Sequence, residues 1–145
     1  MFKNLFPRRG VVDVDSETRA EVDPETCQRD TDADWEEIGR ANPYFGVLAD
    51  PRFKTENLNE KARAEFFRTG EDDVRGLMER FRLRHSDFAP ASALDFGCGV
   101  GRVTRALAAV TGDAFGVDIA ESMLAEARRT PVVGAEFGRE MPDRL

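Results

Sequence analysis

A short apolar run, Ala93-Leu94-Asp95-Phe96, opens directly into three closely spaced glycines, Gly97, Gly99 and Gly101, and then into a helical pattern. Leu94 and Phe96 have the character of a buried strand, while Val103, Leu107 and Val110 fall at i, i+4 and i+7, one face of the helix that follows. Glycines between strand and helix let the main chain take positive φ and leave no Cβ in the way. A ligand can then reach backbone N–H groups at the helix N-terminus.

This is the geometry of the first βα unit of a Rossmann-like sheet, and its details narrow the ligand. The dinucleotide fingerprint is G-x-G-x-x-G, whereas this chain has G-x-G-x-G, with the third glycine one residue early. Asp95, two residues before the first glycine, would repel a pyrophosphate and attract a cation. S-adenosylmethionine carries an ammonium and a sulfonium and no phosphate, so the charge favours it over a nicotinamide dinucleotide. Asp118 stands 17 residues beyond Gly101, after a second strand from Ala114 to Val117. An acid there can accept hydrogen bonds from both ribose hydroxyls. Ile119 offers apolar surface to adenine. Ala120 to Arg129 then reads as a helix with Met123, Leu124 and Ala127 on one face and Pro131 just past its end.

Asp95-Phe96-Gly97-Cys98-Gly99-Val100-Gly101, Gly116-Val117-Asp118 and Ser122-Met123-Leu124-Ala125-Glu126-Ala127 resemble the first two motifs of class I S-adenosylmethionine-dependent methyltransferases. Asn42-Pro43-Tyr44-Phe45 and Phe66-Phe67-Arg68-Thr69-Gly70-Glu71 are similar to the helical lead-in of some bacterial members, so the likeness runs from about Trp35 to Phe137. The resemblance implies that Asp95 and the main chain of Gly97, Cys98, Gly99 and Gly101 hold the methionine end, Asp118 the ribose, and Ile119 with Met123 the adenine face. It also implies methyl transfer to an oxygen, nitrogen or carbon nucleophile on a small molecule, and it assigns no catalytic residue. Phe66-Phe67 with Thr69-Gly70-Glu71 reads as a helix hinge or, by resemblance, as a lid over the cofactor.

At 145 residues with 41% apolar and 34% charged side chains, the chain has the length and make-up of one globular domain. No run approaches the 18 or so apolar residues of a membrane span, and Met1 to Gly10 lacks the pattern of a secretory signal. The net charge of −7 is uneven. Val11 to Glu37 holds eleven acids and two bases, against nine and ten in Ile38 to Pro90, so no basic face for nucleic acid is evident. Cys27 and Cys98 make no disulfide framework, which fits a reducing cytoplasm. Cys98 has no neighbouring base to make it a nucleophile. The sole histidine, His85, ends a helix without metal-ligand spacing around it, so no metal site is expected.

Along the chain, residues 1–31 read as an acidic, disordered tail, residues 32–90 as a helical lead-in or lid, and residues 91–145 as the first half of a cofactor-binding domain. Asp32 or Asp34 caps a helix to Arg40, and a loop holds Tyr44, Phe45, Val47 and Leu48. Leu58 to Thr69 is expected to be helical with Gly70 as its stop. A second helix, Glu71 to Arg84, then carries Val74, Leu77, Met78 and Phe81 as its stripe. A third strand is readable at Gly134 to Phe137. The expected fold is thus α/β, a doubly wound sheet with strands in the order 3, 2, 1 and truncated after the third. Strand 1 then has an open edge, which a partner chain or a second copy could cover. That opens an alternative function: a non-catalytic binding or regulatory fragment that completes its sheet with another chain.

Overall fold

The computed structural model describes residues 31–141, and the expected acidic tail lies almost wholly outside them. Five α-helices and three strands follow in the order α1 (Thr31–Ala41), α2 (Pro43–Val47), α3 (Glu60–Arg84), β1 (Ala93–Phe96), α4 (Arg102–Thr111), β2 (Ala114–Val117), α5 (Glu121–Arg128) and β3 (Ala135–Gly138). The strands form one parallel sheet in the order β1-β2-β3, with Ala93 opposite Ala114 and Ala114 opposite Ala135. This is the expected α/β arrangement. Asp95, Gly116 and Phe137 are register partners and share the face under α4, where Asp95 meets Thr104 and a Cβ on Gly116 would meet Thr104.

Three expectations for the lead-in change. The stretch around Tyr44 is helical rather than a loop, because Pro43 takes the first helical position, where a missing N–H costs nothing. Gly70 does not stop a helix: α3 runs unbroken for 25 residues, capped by the Asn59 side chain at Ala62 N (2.9 Å) and ended at His85. Gly70 is small for a different reason. A Cβ there would lie 2.3 Å from the carbonyl oxygen of Arg102, so the glycine lets α3 touch the first residue of α4. Finally, Leu77 and Phe81 are only partly covered, and the buried part of the stripe is Val74 and Met78, against Ala106 of α4.

On α4 the expected face also shifts. Thr104, Ala106 and Ala108 are buried, Val103 and Leu107 are half-buried, and Val110 is exposed. The helix is nearly enclosed between sheet and α3, so small residues fill the faces that the i, i+4, i+7 count leaves out. A second core joins the halves: Tyr44, Phe53 and Phe66 from the lead-in pack with Val100, Ala120 and Met123. Phe66 sits at its centre, edge-on to Tyr44 (4.9 Å between ring centres) and to Phe53 (5.2 Å).

Candidate functional site

Gly97, Gly99 and Gly101 all take positive φ, at 77°, 53° and 79°, as the spacing requires. The N–H groups of Gly97 and Cys98 both donate to the carbonyl of Val117 (2.8 and 2.9 Å), which ties the turn to the end of β2. Asp118 follows immediately. Its Oδ2 accepts the N–H of Gly99 at 2.7 Å and its Oδ1 the N–H of Ala120 at 2.9 Å, so one carboxylate bridges the glycine turn and the start of α5. The two motifs, separate in sequence, therefore meet.

They meet at a cavity of about 400 Å³. Five of the eight expected site residues line it: Gly97, Gly99, Asp118, Ile119 and Met123. Gly97 presents open space, since a Cβ built on it would have no neighbour within 4 Å. Among the described residues, Asp118 is the only charged side chain on the wall, and no lysine or arginine lines it. The other three expected residues stand behind the wall. Asp95 accepts a hydrogen bond from the fully buried Thr104 hydroxyl at 2.7 Å. Gly101 precedes α4, where a Cβ would run into the Phe137 ring at 2.6 Å. Cys98 is 4% exposed, and burial, helped by the charges of Asp95 and Asp118, pushes its thiol up to about 12. A thiol held there is protonated at neutral pH and is no nucleophile.

Trp35, Gly46 and Val47 complete the cavity from the lead-in, and sequence reasoning did not single them out. Val47 reaches the turn itself: a Cβ on Gly99 would lie 2.6 Å from its Cγ2. Phe66 and Phe67, the residues of the lid reading, do not line this cavity, and Phe66 is wholly buried in the core described above. His85 caps the end of α3, its N–H donating to the carbonyl of Phe81 at 2.8 Å. Among the described residues there is no cluster of three or more His, Cys, Asp or Glu side chains able to hold a metal. None of the helices described is long and apolar enough to cross a membrane.

Residues 93–139 match the family model of a methyltransferase domain. That segment contains every expected site residue, and the match agrees with the resemblance drawn from the motifs. Over 54 residues the chain is 41% identical to a ubiquinone biosynthesis O-methyltransferase of Methylococcus capsulatus, an alignment that covers 37% of this chain and 23% of that relative. Among solved structures, a magnesium protoporphyrin IX methyltransferase from Synechocystis PCC 6803 with bound SAH is 18% identical, covers 80% of this chain and 54% of its own, and superposes with a TM-score of 0.47. An amino pentose methyltransferase of Micromonospora echinaspora with bound SAM is 30% identical over 56% of this chain and 35% of its own, with a TM-score of 0.41. The chain thus spans less than a quarter of the curated relative's length and about half or less of these structures.

Proposed function

We propose that this chain binds S-adenosylmethionine and forms the cofactor half of an enzyme that methylates a small-molecule nucleophile. The observation that carries the reading is the Asp118 carboxylate, fixed 2.7 Å from the glycine-turn N–H of Gly99 on the wall of an otherwise apolar cavity. The cavity suits such a ligand. The space beside Gly97 is open for a group to lie against main chain, and the only charge that the described residues place on the wall is negative, which suits a cationic ligand and opposes a pyrophosphate. The methyltransferase-domain match over residues 93–139 supports the same reading.

Asp118 accepts two backbone hydrogen bonds, one per oxygen, and a carboxylate has about four acceptor sites in all. The remaining lone pairs take the ribose hydroxyls, with the ring of contacts to Gly99 and Ala120 holding the group in position. Ile119 and Met123 give the adenine an apolar wall, and Asp95 behind the turn adds negative charge toward the methionine end. Bound in this way, the cofactor supplies a methyl carbon on a positively charged sulfur, open to in-line displacement by an acceptor nucleophile. Orienting that carbon is this chain's contribution, and in-line positioning of this kind is worth roughly 7–11 kcal/mol where it is complete.

Calorimetric titration of the 145-residue chain with S-adenosylmethionine tests the reading. Asp118→Ala removes charge-assisted hydrogen bonds of about 1.5–3 kcal/mol, a loss of roughly 10- to 100-fold in affinity. Equal affinity in the variant would overturn the ribose role. Gly97→Val forces a β-branched residue to a φ of 77° and fills the open space beside the turn, so it is expected to abolish binding.

A second reading, a chain that completes its sheet with another chain, is favoured by one observation. No strand pairs with the outer edge of β1 among the described residues, and Phe96 at its end is 81% exposed. Light scattering across a range of concentrations tests it: a dimer or larger species supports pairing, and a monomer throughout removes self-pairing.

A further inference from the structure

Three large apolar side chains around the cavity are left open to water: Phe96 at 81% exposed, Trp35 at 44% and Ile119 at 42%. Single exposed hydrophobic groups are ordinary on a protein surface, but three converging on one concavity form a surface for a ligand. Phe96 and Ile119 belong to the sheet half. Trp35 comes from α1, more than 60 residues earlier in the chain.

The indole does not hang on a loose helix. Glu36, the next residue, accepts the Ser122 N–H through its Oε2 at 3.1 Å and the Ser122 hydroxyl through its backbone carbonyl at 3.0 Å. Gly39, one turn on, lies so close that a Cβ would be 2.1 Å from the same hydroxyl oxygen. α1 is thereby seated on the first turn of α5, directly after the Asp118-Ile119 segment that lines the cavity. The segment that carries the carboxylate and the helix that carries the indole are thus parts of one joint.

We propose that Trp35 is a ligand-binding residue: its indole is the lead-in wall of the cavity, against which the sulfonium nucleoside packs. This rests on the cofactor reading above. A flat, electron-rich ring suits either a purine face or a positively charged sulfur. Because α1 and the Asp118 segment share the Ser122 joint, ligand binding also strengthens the docking of α1, and the docking strengthens binding by the same factor.

Trp35 is the only tryptophan in the chain, so its emission reports this wall alone. Titration of the full chain with S-adenosylhomocysteine and S-adenosylmethionine is expected to shift the emission and to protect the indole from acrylamide. Trp35→Ala is expected to weaken calorimetric affinity about tenfold, and Trp35→Phe less than threefold, as large apolar contact is lost or kept. Circular dichroism on both variants checks their folding, and the acrylamide arm needs no variant at all. Calorimetric binding with unchanged emission and quenching, or a well-folded Trp35→Ala that binds like the parent, would overturn the role of Trp35 and leave the cofactor reading standing. Absence of binding heat in the parent chain would remove both.

Discussion

Around the cavity, the glycine turn and the lead-in helices face each other but are held by different means. On the sheet side the shape belongs to main chain: three positive-φ glycines, two N–H groups on the Val117 carbonyl, and a carboxylate clasped by the N–H groups of Gly99 and Ala120. On the lead-in side it belongs to side chains: Glu36 on Ser122, Tyr44 on Glu126, and Phe66 in a shared aromatic core. Main-chain geometry fails all at once when a Cβ is forced into it. Side-chain joints weaken by degrees and respond to pH. The lead-in is therefore the half of the site that can be loosened without destroying the other.

The largest effect is expected where the halves meet backbone to helix. Gly70→Ala places a Cβ 2.3 Å from the Arg102 carbonyl oxygen, and neither main chain can swing aside as a side-chain tip would. Alanine gains about 1 kcal/mol in helix propensity over glycine, while overpacking of this kind costs roughly 1–3 kcal/mol; the cost wins because backbone must move. Gly76→Ala, six residues on in the same helix with nothing within 4 Å of its Cβ, keeps only the gain. Thermal unfolding is expected to move the two variants in opposite directions from the parent. A Gly70→Ala protein as stable as Gly76→Ala would show that α3 and α4 have room to separate.

A smaller effect is expected at the lead-in's link to α5. Tyr44 is 4% exposed and donates its hydroxyl to Glu126 Oε1 at 2.9 Å. Burial, followed by the Glu126 hydrogen bond and charge, pushes the phenol up to about 12, so it remains a donor throughout the working pH range. Tyr44→Phe keeps the ring in the core and removes the bond, at about 1 kcal/mol. A denaturant midpoint in the variant equal to the parent's would mean that Arg129, which also pairs with Glu126 at 2.8 Å, holds that carboxylate without help.

The same division explains what could be read from sequence. The turn was legible because its requirements are local: glycine at positive φ, an acid two residues before, an acid after the next strand, all within one βα step. Met123, Leu124 and Ala127 were likewise legible as one helical face and are all buried. Trp35, Gly46 and Val47 were not, because their place on the cavity depends on contacts such as Glu36 to Ser122, which are 86 residues apart and leave no periodic trace. Gly70 misled for a related reason. A glycine between two helical stretches reads as a stop by local chemistry, and only the approach of Arg102, 32 positions later, gives it another purpose.

The smallest expected effect, and the one that most sharpens the contrast, is acid release of α1. The Ser122 N–H, ahead of its hydroxyl and Arg40, holds the Glu36 carboxyl below its ordinary value of 4.5, against a partial loss of hydration that acts the other way. A folded-state value below the unfolded one means that the unfolded chain binds the proton more readily as pH falls. The Glu36 joint therefore contributes fully at neutral pH and is lost on acidification through the folded value, which lies below 4.5. Trp35 is the adjacent residue, so its emission is expected to move toward that of a solvated indole over this range, before the far-UV signal of α3 and α4 declines. Glu36→Gln keeps an oxygen for the Ser122 N–H but has no proton to gain, and its emission is expected to stay flat across the same window. An identical acid transition in parent and variant would place the titrating group elsewhere and remove Glu36 as the pH-sensitive element of the lead-in.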